Sequence, residues 1–373
     1  MTGGFMLKRF HFLDNLRGVA ILMVVALHVF LCYMAYAPEW WFVIDPKQSM
    51  FFTYGVVLID VPVMPIMFFI AGYFAFTSLD KHGVRQFWVA KFRRIVVPWI
   101  FGVVVLSPPA MYMILLSRDT APDFWTFFTD VFWSKMFSQS VFWFLGLLVL
   151  FYALLTLCYE VSDRFRTLDL DIKKPGILFT VFFIAVNSGC FLLLNYYYPV
   201  DFWKTDLYLI MLQPVRFFLY VFYFFLGVLA WKRGWFQENG YMPKLIPWLL
   251  ASVISAFIYV HYKMQMPMRG TEFLIKSGNA LWFNVFAYST MMACFAVFYS
   301  FFNSANRIWR SFSDSSYGIY LLHSLVVYYG AYFLLNLDAS PYVKAEILLT
   351  SSVLVCWVLT LLLKRNNVLA RII

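Results

Sequence analysis

Ten runs of 18 to 26 mostly apolar residues follow one another along this 373-residue chain, near 13–36, 51–76, 94–117, 141–159, 176–198, 211–231, 245–262, 279–302, 316–336 and 345–363. About 20 apolar residues wound as an α-helix match the roughly 30 Å hydrocarbon core of a bilayer. Repetition at that length leaves few folds open, because backbone polar groups in lipid must be satisfied within the spanning element itself. The expected fold is all-α and integral to a membrane, a single bundle of about ten transmembrane helices. Composition agrees: 63% of the residues are hydrophobic and 13% charged, against roughly 25% charged in soluble domains. The gaps between runs are short, so residues 1–373 read as one domain with no soluble extracytoplasmic domain.

The excess of 29 Lys and Arg over 19 Asp and Glu would suit nucleic acid on a soluble surface. Here the basic residues sit in short segments between apolar runs, so topology explains them and no nucleic-acid partner is expected. With the N-terminus cytoplasmic, 20 of the 29 basic residues fall on the inner side and nine on the outer. On an even number of spans both termini are then cytoplasmic. The first run spans fully and no small-residue cleavage site follows it, so it reads as a retained span rather than a signal peptide. Trp40, Trp41, Trp133, Trp143, Tyr196, Tyr197, Tyr198 and Trp203 cluster at the expected outer boundaries and read mainly as interfacial anchors. Five cysteines, all inside apolar runs, have neither ligand spacing nor loop pairing, so neither a metal site nor a disulfide framework is implied.

Chemistry begins with two ionisable residues in the first run. Arg17 and His28 are eleven residues apart, only about 20° past three full turns, so they share one helix face at roughly 16–17 Å separation. A cation and an imidazole in hydrocarbon each need a partner or a wet cavity. The structural alternative has Arg17 reaching the headgroups and His28 bonded to a carbonyl. On the expected topology Asp60, in the second run, lies at a depth close to that of His28. It either pairs with the imidazole, fixing its tautomer and raising its basicity, or makes a structural polar contact. Lys81, Arg85, Lys91, Arg93 and Arg94 form the densest basic cluster. It is either a solvated positive-inside loop or a polyphosphate site. Ser315, Ser316, Tyr317, Tyr320 and His323 open the ninth run, as substrate contacts or as interhelical hydrogen bonds. On the outer side Arg216 opens the sixth run, to meet an anionic or sugar-like acceptor or to pair with Asp201 or Asp206.

Taken in order, these blocks resemble the membrane-bound acyltransferase family 3 of bacteria. The resemblance rests on FLDNLRGVAILMVVALH with Arg17 and His28, FFIAGYF at Phe68–Phe74, KFRRIVVP at Lys91–Pro98, Trp143-Phe144-Leu145, and YGIYLLH at Tyr317–His323. It covers essentially the whole chain. Ala71 stands where the family usually has serine, so no polar role is assigned there, and Gly72 is kept as a close-packing position. The second-run block and the length are somewhat similar to members that succinylate periplasmic glucans.

The resemblance implies O-acyl transfer, acetyl or succinyl, from cytoplasmic acyl-CoA to a hydroxyl of a glycan, lipid or small molecule, in the bacterial cytoplasmic (inner) membrane. Acyl-CoA is a co-substrate, with no tightly bound cofactor expected, and membrane lipids are the other partners. His28 is the expected general base, with Asp60 and Arg17 beside it; Arg17, Lys91, Arg93 and Arg94 hold the CoA phosphates. Trp143, Arg216, Tyr317, Tyr320 and His323 are expected to contact substrate. A secondary transporter and a non-catalytic scaffold are the competing classes. A transporter moves substrate without consuming thioester, and a scaffold tolerates loss of both Arg17 and His28.

Overall fold

The computed structural model describes residues 10–167, 174–237, 240–265, 272–304 and 307–372. Lys8, Arg9, Lys173 and Arg269, which enter the charge asymmetry, lie outside them. All ten apolar runs fall largely within helices: α1 (His11–Tyr33), α2 (Met50–Lys91), α3 (Ser107–Leu116), α4 (Trp143–Val161), α5 (Ile177–Tyr197), α6 (Pro214–Lys232), α7 (Leu245–Gln265), α8 (Glu272–Phe301), α9 (Arg307–Leu334) and α10 (Pro341–Leu363). Among the described residues, eight helical stretches are long and apolar enough to cross a membrane. One of them, Met50–Leu116, holds two of the expected runs. The ninth expected run, in α9, is not among the eight. Its serines, tyrosines and histidine lower its hydropathy. Burial makes that composition tolerable: Ser315, Ser316, Tyr320, His323 and Ser324 are all enclosed by protein.

Two departures from expectation shape the site. The segment Lys81–Arg94 is not a plain loop. Helix α2 breaks at Gly83, whose φ of +73° is open to glycine, and then resumes as a stretch that buries Phe87 completely. The Trp88 indole donates to Thr156 Oγ1 at 3.1 Å, docking this stretch on α4. Beyond it the chain winds through π-helical turns at Phe92–Val96 and Gly102–Leu106 before α3, where Pro98 and Pro108 each lack a backbone donor.

The second departure is a hairpin, β1 (Lys204–Asp206) and β2 (Ile210–Leu212), in register Thr205↔Met211. The start of the sixth expected run is therefore a strand. Leu207 and Tyr208 carry positive φ, 51° and 61°, as a type I′ turn demands. That turn normally announces itself by Asn-Gly or Asp-Gly, which this sequence lacks.

Gly72 is a close-packing position, as expected. A Cβ there would sit 1.9 Å from the Phe224 carbonyl oxygen, and one on Gly227 would sit 2.1 Å from that of Phe69. Helices α2 and α6 thus cross backbone against backbone, bringing Asp60 to Arg216. Arg17 near the start of α1 and Lys364 just past α10 line one cavity, so the two ends of the described chain lie at the same end of the bundle.

Candidate active site

Two cavities, each of about 690 Å³, open at opposite ends of α1. The first is basic. Arg17, Lys91, Arg94 and Lys364 line it together with Tyr152, Tyr317, Tyr320 and Ala71. The Lys91 ammonium stands 4.5 Å over the Tyr152 ring, and the Tyr317 hydroxyl donates to the Arg94 carbonyl at 2.5 Å. Arg17 lies 3.4 Å from Asp14 and remains 39% exposed, so it faces the cavity rather than being locked in a buried pair. Arg93, expected beside Arg94, is exposed and outside this lining; as the next residue along a helical turn it points to a different face.

The second cavity is aromatic. His28, Trp40, Trp41, Phe42, Trp143, Trp203 and Tyr328 line it, with Ser138, Ser140 and Asp201 as its polar groups. Trp41 is buried against the His28 ring, centroids 5.6 Å apart, instead of resting at the lipid interface as an anchor. Trp143 and Trp203 meet edge to face at 5.2 Å. The hairpin closes one wall through Met211, and Gln139 Nε2 donates to the Leu209 carbonyl at 3.0 Å to hold it there.

Between the cavities lies a thin septum. Val141 and Trp143 face the aromatic side, whereas Phe144 and Leu145 face the basic side. The Tyr320 hydroxyl donates to the Val141 carbonyl at 2.5 Å and closes the septum. Two imidazoles stand in it, His28 and His323, with centroids 4.9 Å apart and rings at 79°. His28 Nδ1 lies 2.8 Å from the Val24 carbonyl oxygen and His323 Nδ1 2.6 Å from that of Tyr320. A carbonyl only accepts, so in each neutral ring the proton is on Nδ1 and the lone pair on Nε2. His323 is fully buried, and its Nε2 meets no hydrogen-bond partner among the described residues.

Of the two alternatives open for Asp60, the structure shows the polar contact rather than a pair with His28. Its carboxylate meets Arg216 at 2.7 Å, and Arg216 also reaches Asp201 at 3.2 Å. The residue that fixes the His28 tautomer is Val24, through its backbone. Arg216 is 6% exposed in its side chain, so it works from behind the aromatic cavity and holds Asp201 at the wall. Ser316 Oγ donates to the Ser313 carbonyl at 2.8 Å, an intrahelical bond that ties up its proton.

A family model described as an acyltransferase domain matches residues 10–361. The chain belongs to the acyltransferase-3 family. Among curated relatives in that family, it is 22% identical over 346 residues to a glucans biosynthesis protein C of Escherichia coli O157:H7, covering 87% of this chain and 84% of that protein. Against the protein of the same name from strain SMS-3-5 the identity is 23% over 188 residues, covering 49% of this chain and 46% of the relative. In that alignment the chain spans less than half the relative's length. No solved structure matches. The blocks that carried the resemblance now have places in this family member. The Arg17–His28 face touches both cavities, Ala71 lines the basic cavity while Gly72 sits at the α2–α6 crossing, and YGIYLLH sets Tyr317 and Tyr320 on the basic cavity and His323 against His28.

Sequence reasoning missed Trp41, Ser138, Ser140, Asp201, Tyr328 and Lys364 as wall residues. Ser140 had no readable signal: its left-handed φ of +47° is not a property of serine. Lys364 had one, since a cation just past the last apolar run lies at the same membrane level as Arg17.

Proposed function

We propose that this multi-pass membrane acyltransferase moves a short acyl group, acetyl or succinyl, from acyl-CoA in the basic cavity to a hydroxyl of a glucan in the aromatic cavity. The observation that carries this reading is the pair of cavities meeting at one septum beside His28. Four cations at one mouth suit the CoA phosphates, and that mouth faces the cytoplasm of a bacterial inner membrane. Tryptophan faces and a held carboxylate suit a sugar, whose C–H faces are apolar and whose hydroxyls donate. The name of the related proteins, glucans biosynthesis, supports the acceptor class.

In the proposed reaction His28 Nε2 takes the proton of the acceptor hydroxyl as its oxygen attacks the thioester carbonyl. The tetrahedral adduct then collapses, breaking the C–S bond and releasing the CoA thiolate, itself a fair leaving group. Arg17 lies on the same face of α1, where it guides the donor toward His28. The test is transfer from radiolabelled acetyl-CoA and succinyl-CoA to glucose oligomers in proteoliposomes. His28→Ala is expected to lower kcat about 100-fold or more, the usual range for a general base. Arg94→Ala should raise KM for the donor with little change in kcat. Unchanged turnover in His28→Ala would sink the base assignment, and substrate flux without thioester consumption would make the protein a transporter.

A further inference from the structure

Arg216 stands near the start of α6 with its side chain 6% exposed, and a guanidinium so buried needs counter-charge. It has two partners. Asp60 Oδ2 lies 2.7 Å from Nη1, and Asp201 Oδ1 lies 3.2 Å from Nη2. The guanidinium carbon also stands 5.4 Å over the Phe283 ring. Two carboxylates around one guanidinium leave a net negative charge. The Asp60 side chain is 32% exposed and that of Asp201 66%. Of the three, Asp201 is the one in the wall of the aromatic cavity. Among the described residues no Lys or Arg lines that cavity, whose walls are mainly aromatic and apolar. The excess charge therefore acts on whatever enters there, and beside apolar walls it is less screened than in bulk water.

We propose that Asp201 makes the aromatic cavity select neutral or cationic glycan acceptors and turn away acidic ones, with Asp60 as the positioning residue behind it. Arg216 engages Asp201 through Oδ1, so the exposed carboxylate keeps lone pairs for sugar hydroxyls, which donate. An acceptor carboxylate or phosphate meets a like charge at the same wall, which opposes binding. Asp60 acts indirectly. It supplies counter-charge to the buried guanidinium from α2, so Arg216 holds Asp201 without neutralising the group as a whole. With Asp60 uncharged, Arg216 and Asp201 cancel and the selection fades. Trp203, two residues after Asp201, meets Trp143 edge to face at 5.2 Å. These rings offer an apolar face to any sugar, charged or not, so ring shape and charge are read by different residues. This selection rests on the acyl-transfer reading above and adds the charge class of its acceptor.

The test is a charge series on one sugar. Carboxymethyl, carbamoylmethyl and aminoethyl glucosides place an anion, a neutral amide or a cation at the same position and leave the other ring hydroxyls intact. Each is measured as a competitor of glucose-oligomer acylation in proteoliposomes, with whichever of acetyl-CoA and succinyl-CoA the wild type uses. In wild type the anion is expected to bind about 10-fold more weakly than the amide, a modest factor because Asp201 is partly solvated, and the cation at least as tightly as the amide. Asp201→Asn should bring the anion within about 2-fold of the amide. Asp60→Asn should narrow the gap in the same direction with KM for the acyl-CoA unchanged, a result that a merely structural carboxylate would not give.

Equal inhibition by all three glucosides in wild type, or a gap that survives Asp201→Asn, overturns the proposal, while acylation of the oligomer leaves the acyl-transfer reading standing. A wild type that acylates no oligomer overturns both. A gap lost in Asp201→Asn and kept in Asp60→Asn overturns the part given to Asp60. Should Asp201→Asn fail to fold, as judged by size exclusion, Asp60→Asn decides, and a gap kept there overturns the proposal.

Discussion

Ser140 holds a left-handed backbone, φ +47°, at the edge of the cavity that contains His28. For a residue with a Cβ this conformation costs roughly 1 kcal/mol or more, and its hydroxyl is buried without a hydrogen-bond partner among the described residues. On the acyl-transfer reading the thioester carbonyl reaches the septum beside His28, and the buried, unpartnered Ser140 hydroxyl on the neighbouring lining is the donor its oxyanion would meet. Ser140→Gly separates the two roles. Glycine accepts this φ freely, so the thermal midpoint should hold or rise, while kcat falls on the order of 100-fold, the effect of removing one oxyanion donor. Retained activity with a raised midpoint would leave Ser140 as a strained turn and nothing more. His28 sits at the same scale: what leaves its Nε2 with the lone pair, as the proposed base role needs, is one backbone bond, Nδ1 to the Val24 carbonyl.

Elements hold these residues in place through a few buried polar clamps. The segment between α1 and α2 folds over the aromatic cavity and presses Trp41 on His28. It is pinned by Lys344 of α10, whose ammonium meets Asp45 at 2.8 Å with both side chains at or below 2% exposure. Arg118 adds bonds to the Glu39 and Trp41 carbonyls at 2.6 and 2.9 Å. Removing one partner of such a buried pair strands the other charge, at a cost of about 3–5 kcal/mol. Lys344→Met should therefore lower the thermal midpoint clearly and reduce kcat, because Trp41 loses its footing. The double variant Lys344→Met with Asp45→Leu should recover much of the midpoint. A single variant as stable as wild type would show that the clamp contributes nothing to this fold. The α2–α6 crossing is a second such device, in which the absence of two side chains at Gly72 and Gly227 lets backbones touch.

At the scale of the whole molecule, two cavities at opposite ends of α1 predict sidedness. In proteoliposomes with the protein oriented, acyl-CoA on the basic-cavity face and glucose oligomer on the other should give product. Both substrates confined to the aromatic-cavity face should give none, and product there would contradict the two-mouth arrangement. Raised salt should increase KM for acyl-CoA, since exposed cations such as Arg94 are screened within about 8–10 Å at ordinary ionic strength. Much of this architecture was legible beforehand, for a physical reason: hydropathy and the 3.6-residue period are local properties. They supplied the helices and the shared face of Arg17 and His28; charge density supplied the cluster holding Lys91 and Arg94, and the family resemblance supplied the tight position at Gly72. What they do not carry is which helix faces which. Asp60 was placed beside His28 by depth alone, and the α2–α6 crossing gave it to Arg216 instead. His28 and His323 belong to the first and ninth apolar runs, and only packing of α1 against α9 makes them neighbours. The hairpin that walls the cavity turns on Leu207 and Tyr208, residues with no turn signature. Sequence alone determined a helical membrane bundle with a cation and an imidazole on one helix face. The tertiary structure decided that these two residues open onto different cavities, with a second imidazole in the wall between them, because that depends on contacts between helices far apart in the chain.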